Sequence, residues 1–243
     1  MFKGRLVLLF VAAGCVAFGN TVTVPNANGT VAGNQPLGTL NAAHFQEIFG
    51  SGQFPAAPIM ITELWFRSAP GKGPLYVDFS GVDIQLALTL AFPNTSSGHT
   101  LPSGTFTDNI IPGTEIDELN IPSPYVSVMS DPGCNGPAPC PFDIAIPLST
   151  PFYYNPTTAR LLMDVTAFNG PNGLSGALDQ ASFTSPGDGV ARVFSDIPTS
   201  TTGTVSEQGL VVEFDYTFAP EPASWALLVL GVAALAWLRR RRP

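Results

Sequence analysis

The chain of 243 residues contains two imidazoles, His44 and His99. A Ser-His-Asp hydrolase would have to recruit one of them as its base. His99 follows the turn-rich run FPNTSSG. His44 precedes Phe45 in a segment, Asn41 to Phe49, whose pattern fits either a short helix or a strand. No Gly-x-Ser-x-Gly elbow is present, because Ala177 stands where the stretch around Leu174 to Leu178 would need its second glycine. P-loop and His-Glu-x-x-His patterns are also absent. Carboxylates are more plentiful. Glycoside hydrolysis uses two of them roughly 5–10 Å apart. On a strand, Glu213 and Asp215 would share one face about 6.6 Å apart, and Glu115, Asp117 and Glu118 form a second cluster. The Glu213/Asp215 face opposes an apolar one, which is how a solvated sheet face reads. Catalysis is not expected.

Other residue types point to binding or structure. Cys134 and Cys140 bracket NGPAP, a spacer that can bend the chain enough to bring the two Cα atoms to about 5.5 Å. In an exported chain they are expected to form a disulfide, and zinc would need ligands that the sequence does not supply. Asp179, Asp188 and Asp196 lie in or near loops and could join backbone carbonyls around calcium. No loop has EF-hand spacing, so no ligand set is assigned and no other cofactor or metal is expected. Tyr153 and Tyr154, beside Pro151 and Asn155, are candidates to stack on a sugar ring. Trp65 lies in an apolar strand and is expected in the core.

These groups must be held by a scaffold, and the scaffold reads as β. Charged residues make up 12% of the chain, about half the usual share. Gly and Pro number 24 each, which is turn-rich but compatible with a core. GVDIQLALTLAF alternates, with Val82, Ile84, Leu86, Leu88 and Leu90 on one side and Asp83, Gln85 and Thr89 on the other. GLVVEFDYTF places Leu210, Val212, Phe214, Tyr216 and Phe218 on one face. PIMITELWFRS, YVSVMS, FDIAIPL, ARLLMDVTAF and ARVFSD are further strands, separated by turns such as APGKGP and SPGDG. The expected fold is all-β, an antiparallel sandwich of jelly-roll type. No repeat at solenoid periods occurs.

Charge is unevenly placed. Between Asn20 and Ala219 stand four basic and 17 acidic residues. A nucleic-acid partner requires a basic footprint, so that class is excluded. Six basic residues lie at the ends instead: Lys3, Arg5, Arg239, Arg240, Arg241 and Arg242. Residues 1–19 read as a secretory signal, with Lys3 and Arg5 before the apolar run Leu6 to Ala13 and small residues at Ala17 and Gly19. Alternatively VAAGC, Val11 to Cys15, resembles a lipobox that would lipidate Cys15, with Ala12 where that pattern usually has Leu.

At the other end, Pro220-Glu221-Pro222 precedes the uncharged run Ala223 to Leu238, with Trp225 and Trp237 near its ends. The basic cluster Arg239, Arg240, Arg241 and Arg242 follows at once. Two prolines keep the tripeptide extended. Sixteen residues of helix span about 24 Å, slightly under the roughly 30 Å hydrocarbon core. The arginines hold the C-terminus in the cytoplasm. Tripeptide, short apolar helix and Arg cluster together resemble the PEP-CTERM protein-sorting signal. The resemblance implies an exported protein of a Gram-negative bacterium, often one making exopolysaccharide. It also implies a substrate of a membrane exosortase, which cuts near Pro220, Glu221 and Pro222. On that resemblance Arg239, Arg240, Arg241 and Arg242 complete the processing signal. The strand ITELWFR and the segment NPTTARLLMDV loosely resemble other PEP-CTERM ectodomains.

The expected organisation is a signal peptide (1–19), a β-sandwich ectodomain (20–219) and a sorting signal (220–243). The sorting signal comprises a transmembrane helix over 223–238 and the Arg cluster 239–242. The expected role is structural or adhesive in the cell envelope or extracellular matrix, after transient anchoring in the inner membrane. Exosortase is the expected partner, with exopolysaccharide as a further one. A carbohydrate-binding module is the alternative, and a polysaccharide hydrolase is a third reading.

Overall fold

A computed structural model describes residues 19–26, 31–33, 43–70, 76–78, 82–93, 102–120, 127–129, 139–167, 178–180, 189–219 and 231. Within them run β1 (Asn20–Val24), β2 (Val31–Gly33), β3 (Ala43–Phe49), β4 (Ile59–Phe66), β5 (Tyr76–Asp78), β6 (Val82–Thr89) and β7 (Ile116–Asn120). They continue as β8 (Ser127–Met129), β9 (Ile144–Tyr154), β10 (Arg160–Ala167), β11 (Leu178–Gln180), β12 (Val190–Ser195), β13 (Thr204–Ser206) and β14 (Val212–Phe218). One sheet has the order β1-β14-β4-β9 and the other β13-β12-β3-β10-β6-β7, with the small pairs β11-β2 and β5-β8 beside them. Every pairing is antiparallel. A regular jelly roll has eight strands; here the two large sheets hold four and six.

The sheets close on one apolar core. Val24, Ile61, Leu64, Ile146 and Phe214 from the first sheet meet Phe45, Phe49, Ile84, Leu86, Met163 and Val190 from the second. Phe49 meets Phe214 edge-on with ring centroids 5.0 Å apart, and Phe54 meets Tyr154 in the same way at 5.0 Å. Such pairs add about 0.5–1.5 kcal/mol beyond burial. The alternation read in β6 and β14 is what the core uses, since Ile84, Leu86, Val212 and Phe214 are fully buried. Leu90 and Phe218 are 67% and 54% exposed, because they lie just past, or at, the ends of their strands.

The ambiguous segment around His44 is strand β3, paired on one side with β10 and on the other with β12. As a helix, Phe45, Ile48 and Phe49 would share a stripe. As a strand, they divide: Phe45 and Phe49 enter the main core, while Ile48 joins Ala87 and Leu162 in a second cluster on the outer side. Both faces of this central strand are covered, so its hydrophobic pattern does not alternate cleanly.

β4 holds the main surprise. Ile59, Ile61, Leu64 and Phe66 are buried, so the inward phase shifts by one residue near Thr62. The register agrees: Tyr216 pairs with Ile61 but Asp215 pairs with Glu63, leaving Thr62 as the extra residue of a β-bulge. Its hydroxyl donates to the Asp215 carbonyl at 3.2 Å. Strict alternation from Ile59 would have turned Glu63 and Trp65 inward. Trp65 is therefore not in the core as expected; it lies half-buried on the outer face. β9, at the sheet edge, skips from Pro147 to Phe152 across the same bulge. Its prolines Pro147 and Pro151 are exposed and withhold backbone donors from any further strand.

Deleting Thr62 would leave Ile59, Ile61, Leu64 and Phe66 in unbroken alternation, so the chain should still melt cooperatively. Deleting Met60 would force Ile61 or its successors out of phase and should cost about 2–5 kcal/mol, the cost of losing a buried Ile side chain. Thermal unfolding of the two variants in detergent compares them; equal destabilisation would contradict the bulge assignment.

Candidate functional site

The outer face of the six-stranded sheet is covered by the segment around the short 3-10 turn Phe106–Asn109. Beneath it lies a polar network. His44 Nε2 meets Asp164 Oδ1 at 2.9 Å, and Nδ1 meets the Ser200 carbonyl at 2.9 Å. Gln46 donates to Asp164 Oδ2 at 2.6 Å and to the Phe106 carbonyl at 3.1 Å, while Asn109 donates to Gln46 Oε1 at 3.1 Å. The His44 ring stacks on Phe106 with centroids 3.6 Å apart. A carbonyl only accepts, and an ionised carboxylate only accepts. Two such acceptors favour hydrogen on both ring nitrogens of His44, the imidazolium form. Burial alone would lower its pKa, but the hydrogen bond and charge of Asp164 and the Ser200 carbonyl outweigh it, and the net direction is upward. Ser195 stands opposite His44 in the register, yet its hydroxyl accepts from the Ile197 N–H at 3.2 Å. Ser, His and Asp are thus neighbours without triad geometry, because both His44 nitrogens meet groups other than Ser195.

The outer face of the four-stranded sheet has a different chemistry. The bulge brings Trp65 and Glu63 beside Glu213 and Asp215 of β14. The Trp65 indole N–H donates to Asp215 Oδ2 at 3.2 Å, and Thr23 donates to Glu213 Oε2 at 3.3 Å. Burial and the facing Asp215 push the Glu63 carboxyl above the usual carboxylate range, while the Trp65 N–H opposes them. Glu63 and Asp215 are within hydrogen-bonding reach of each other. Glu213 and Asp215 lie on the polar face, as expected from their alternation with Val212, Phe214 and Tyr216.

Two buried arginines have partners that the sequence did not reveal. Arg67 Nε binds Asp179 Oδ2 at 2.7 Å, with both side chains almost fully buried. Asp179 also receives the Val211 N–H on its carbonyl and donates its own N–H to the Arg67 carbonyl. It lies in β11 and is already engaged by Arg67, so it is not the loop ligand considered for calcium. Arg192 donates to Gln208 Oε1 at 2.7 Å and lies directly across from Glu47. Burial lowers the Arg192 pKa and Glu47 opposes the shift. Gly209 is required here, since a Cβ would fall within contact of Glu47 Oε1. Among the described residues no group of three or more His, Cys, Asp or Glu could hold a metal ion.

The remaining candidates separate. Tyr153 is 53% exposed, on the outer side of β9. Tyr154 is fully buried, with its hydroxyl donating to the Ala159 carbonyl at 3.4 Å, so it cannot stack on a sugar from solvent. Adjacent residues of one strand face opposite ways, and only one of the pair can be outside. Asp196 is exposed, and Asp188 lies outside the described residues. Cys140 is buried, and Cys134 lies outside the described residues, as do Cys15 and residues 1–18. Of the expected processing signal, Pro220, Glu221, Pro222, Arg239, Arg240, Arg241 and Arg242 all lie outside the described residues. The proposed span 223–238 lies outside them except for Gly231. Among the described residues no helix is long and apolar enough to cross a membrane.

Residues 219–242 match the family described as the PEP-CTERM protein-sorting motif. The chain carries a PEP-CTERM sorting motif. No curated protein and no solved structure matches the chain. The matched segment takes in the tripeptide Pro220, Glu221 and Pro222 and the cluster Arg239, Arg240, Arg241 and Arg242, as the sequence led us to expect. The PEP-CTERM match begins at the residue after β14 ends, so the last strand of the four-stranded sheet leads directly into the sorting segment. The motif implies an exported protein that is anchored and then processed by an exosortase.

His44 generates a test in this PEP-CTERM chain. A histidine with a raised folded pKa contributes stability that is complete below the ordinary value of about 6.5 and is lost as pH rises through the folded value. The melting temperature should fall above pH 6.5, by about 2–4 °C per kcal/mol lost. In Asp164→Asn the dependence should flatten. Thermal scans between pH 5.5 and 9 check this; an unchanged slope in Asp164→Asn would contradict the imidazolium assignment.

Proposed function

We propose that this chain is delivered to the envelope of a Gram-negative bacterium, released from its membrane tail by an exosortase, and serves there as a structural or adhesive module without catalysis. The match at residues 219–242 carries the delivery part of this reading. The structural part is supported by a sandwich whose only described histidine is fully engaged and whose sheet edge at β9 is guarded by proline. A Cys134–Cys140 disulfide belongs to the same reading, since it would pin the loop entering β9 in an oxidising compartment. Loss of the tail would remove Arg239, Arg240, Arg241 and Arg242 and leave the acidic domain, whose charge favours solubility.

A second reading, carbohydrate binding, draws on one observation. Exposed Tyr153 and half-buried Trp65 occupy the same outer face of the four-stranded sheet, with Glu63 of β4 between them in the register to receive hydroxyl hydrogen bonds. Aromatic faces bordered by a few polar groups are the usual construction of such sites.

Expression in hosts with and without exosortase tests the first reading. Intact masses should show loss of the residues after the Pro220-Glu221-Pro222 region only where exosortase is present; retention of Ala223 to Pro243 in both hosts would reduce the tail to an anchor. A glycan array tests the second. Binding should drop at least about tenfold in Trp65→Ala and Tyr153→Ala, an effect of more than about 1.4 kcal/mol. No binding across neutral and acidic glycans would remove it.

A further inference from the structure

One end of the sandwich carries a groove of about 230 Å³ where the loop after β3 meets the ends of β6, β10 and β12. Its floor is two glycines. The Gly50 N–H donates to the Gly189 carbonyl at 2.6 Å, and Gly189 has a φ of +89°. A Cβ at Gly189 would lie 2.6 Å from Gln53 Nε2, so only glycine lets the Gln53 amide lie where it does. Gln53 Oε1 accepts the Asn26 N–H at 2.8 Å, which turns Nε2 the other way.

Arg160 forms one wall. Its guanidinium lies over the Phe92 ring, 3.2 Å from the centroid, and Nη1 donates to the Leu90 carbonyl at 3.1 Å. Stack and hydrogen bond together fix the plane of the fork. That single bond uses one of five N–H donors. Among the described residues, neither the other Arg160 donors, nor Gln53 Nε2, nor the Ser51 hydroxyl has a protein acceptor. Among the described residues no carboxylate lines the groove. The groove thus differs from its surroundings, a segment with four basic and 17 acidic residues. Arg67 and Arg192 are buried, so Arg160 is the accessible guanidinium among the described residues.

We propose that this groove binds a carboxylate monoanion, held by the Arg160 fork with Gln53 Nε2 and the Ser51 hydroxyl as neutral donors. A planar fork matches a planar carboxylate in two parallel hydrogen bonds. One cation favours one negative charge, and the acidic domain around it disfavours a dianion. The volume suits one small ligand or the terminal unit of a larger one, being below the usual 300 Å³ or more of drug-sized sites. The inference is independent of the sorting and sugar-face readings.

Calorimetric titration of the full chain in neutral detergent at low salt tests it, using sodium acetate, sodium galacturonate, galactose and sodium sulfate. Acetate or galacturonate should bind saturably with a Kd on the order of 1 mM, galactose should not bind, and sulfate should bind more weakly. Galacturonate tighter than acetate identifies an acidic sugar as the source; equal affinity identifies a free small carboxylate. Gln53→Glu, in the short 3-10 turn Ser51–Gln53, and Arg160→Lys, which keeps the charge but loses the fork, should each weaken binding at least tenfold. Absence of saturable binding, full binding in both variants, or sulfate binding tighter than either carboxylate would overturn the proposal.

Discussion

The four-stranded sheet depends on one extra residue. Thr62 adds a bulge to β4, and everything after it changes face. In strict alternation a carboxylate at Glu63 would enter an apolar interior, at a cost of several kcal/mol. With the bulge, Leu64 and Phe66 fill that space, and Glu63 and Trp65 join Glu213 and Asp215 outside. The outer polar surface and the inner packing are therefore two consequences of one local irregularity. The edge strand β9 accommodates the same offset between Pro147 and Phe152.

Charge is divided by depth. Arg67 and Arg192 are placed inside, where each faces an acidic side chain. A buried pair of this kind is weak evidence for added stability but strongly resists loss of either member. Interior arginines also leave the surface with few cations. Among the described residues, Arg160 over Phe92 is the guanidinium left accessible, at one end of the sandwich. The six-stranded sheet follows a related rule on its outer side, where the Phe106–Asn109 turn covers His44, Gln46 and Asp164 and every principal polar atom beneath it has a partner.

Much of this was legible from residue order alone, but unevenly. β6 and β14 alternate for six or seven residues, and their inward sets are the ones the core uses. β3 carries an ambiguous signal because both of its faces are covered, so apolar residues occur on each. Trp65 reads as a core residue because alternation carries no marker for an inserted residue. Tyr154 groups with Tyr153 because neighbours in a turn-like stretch look alike until the strand direction is known. Arg67 and Arg192 show no motif, since a partner far along the chain leaves no spacing to recognise.

By itself, the sequence determined what is written in contiguous residues: strand periodicity, turn chemistry, the charge imbalance, and the C-terminal motif matched over residues 219–242. Each depends on neighbours a few positions apart. Tertiary structure alone decided the rest. His44 meets Asp164 at a separation of 120 residues and Ser200 at 156, and Arg67 meets Asp179 at 112. The physical reason is that antiparallel pairing joins distant segments in a register that one residue can shift. A side chain's face, partner and protonation follow from that register rather than from its place in the chain.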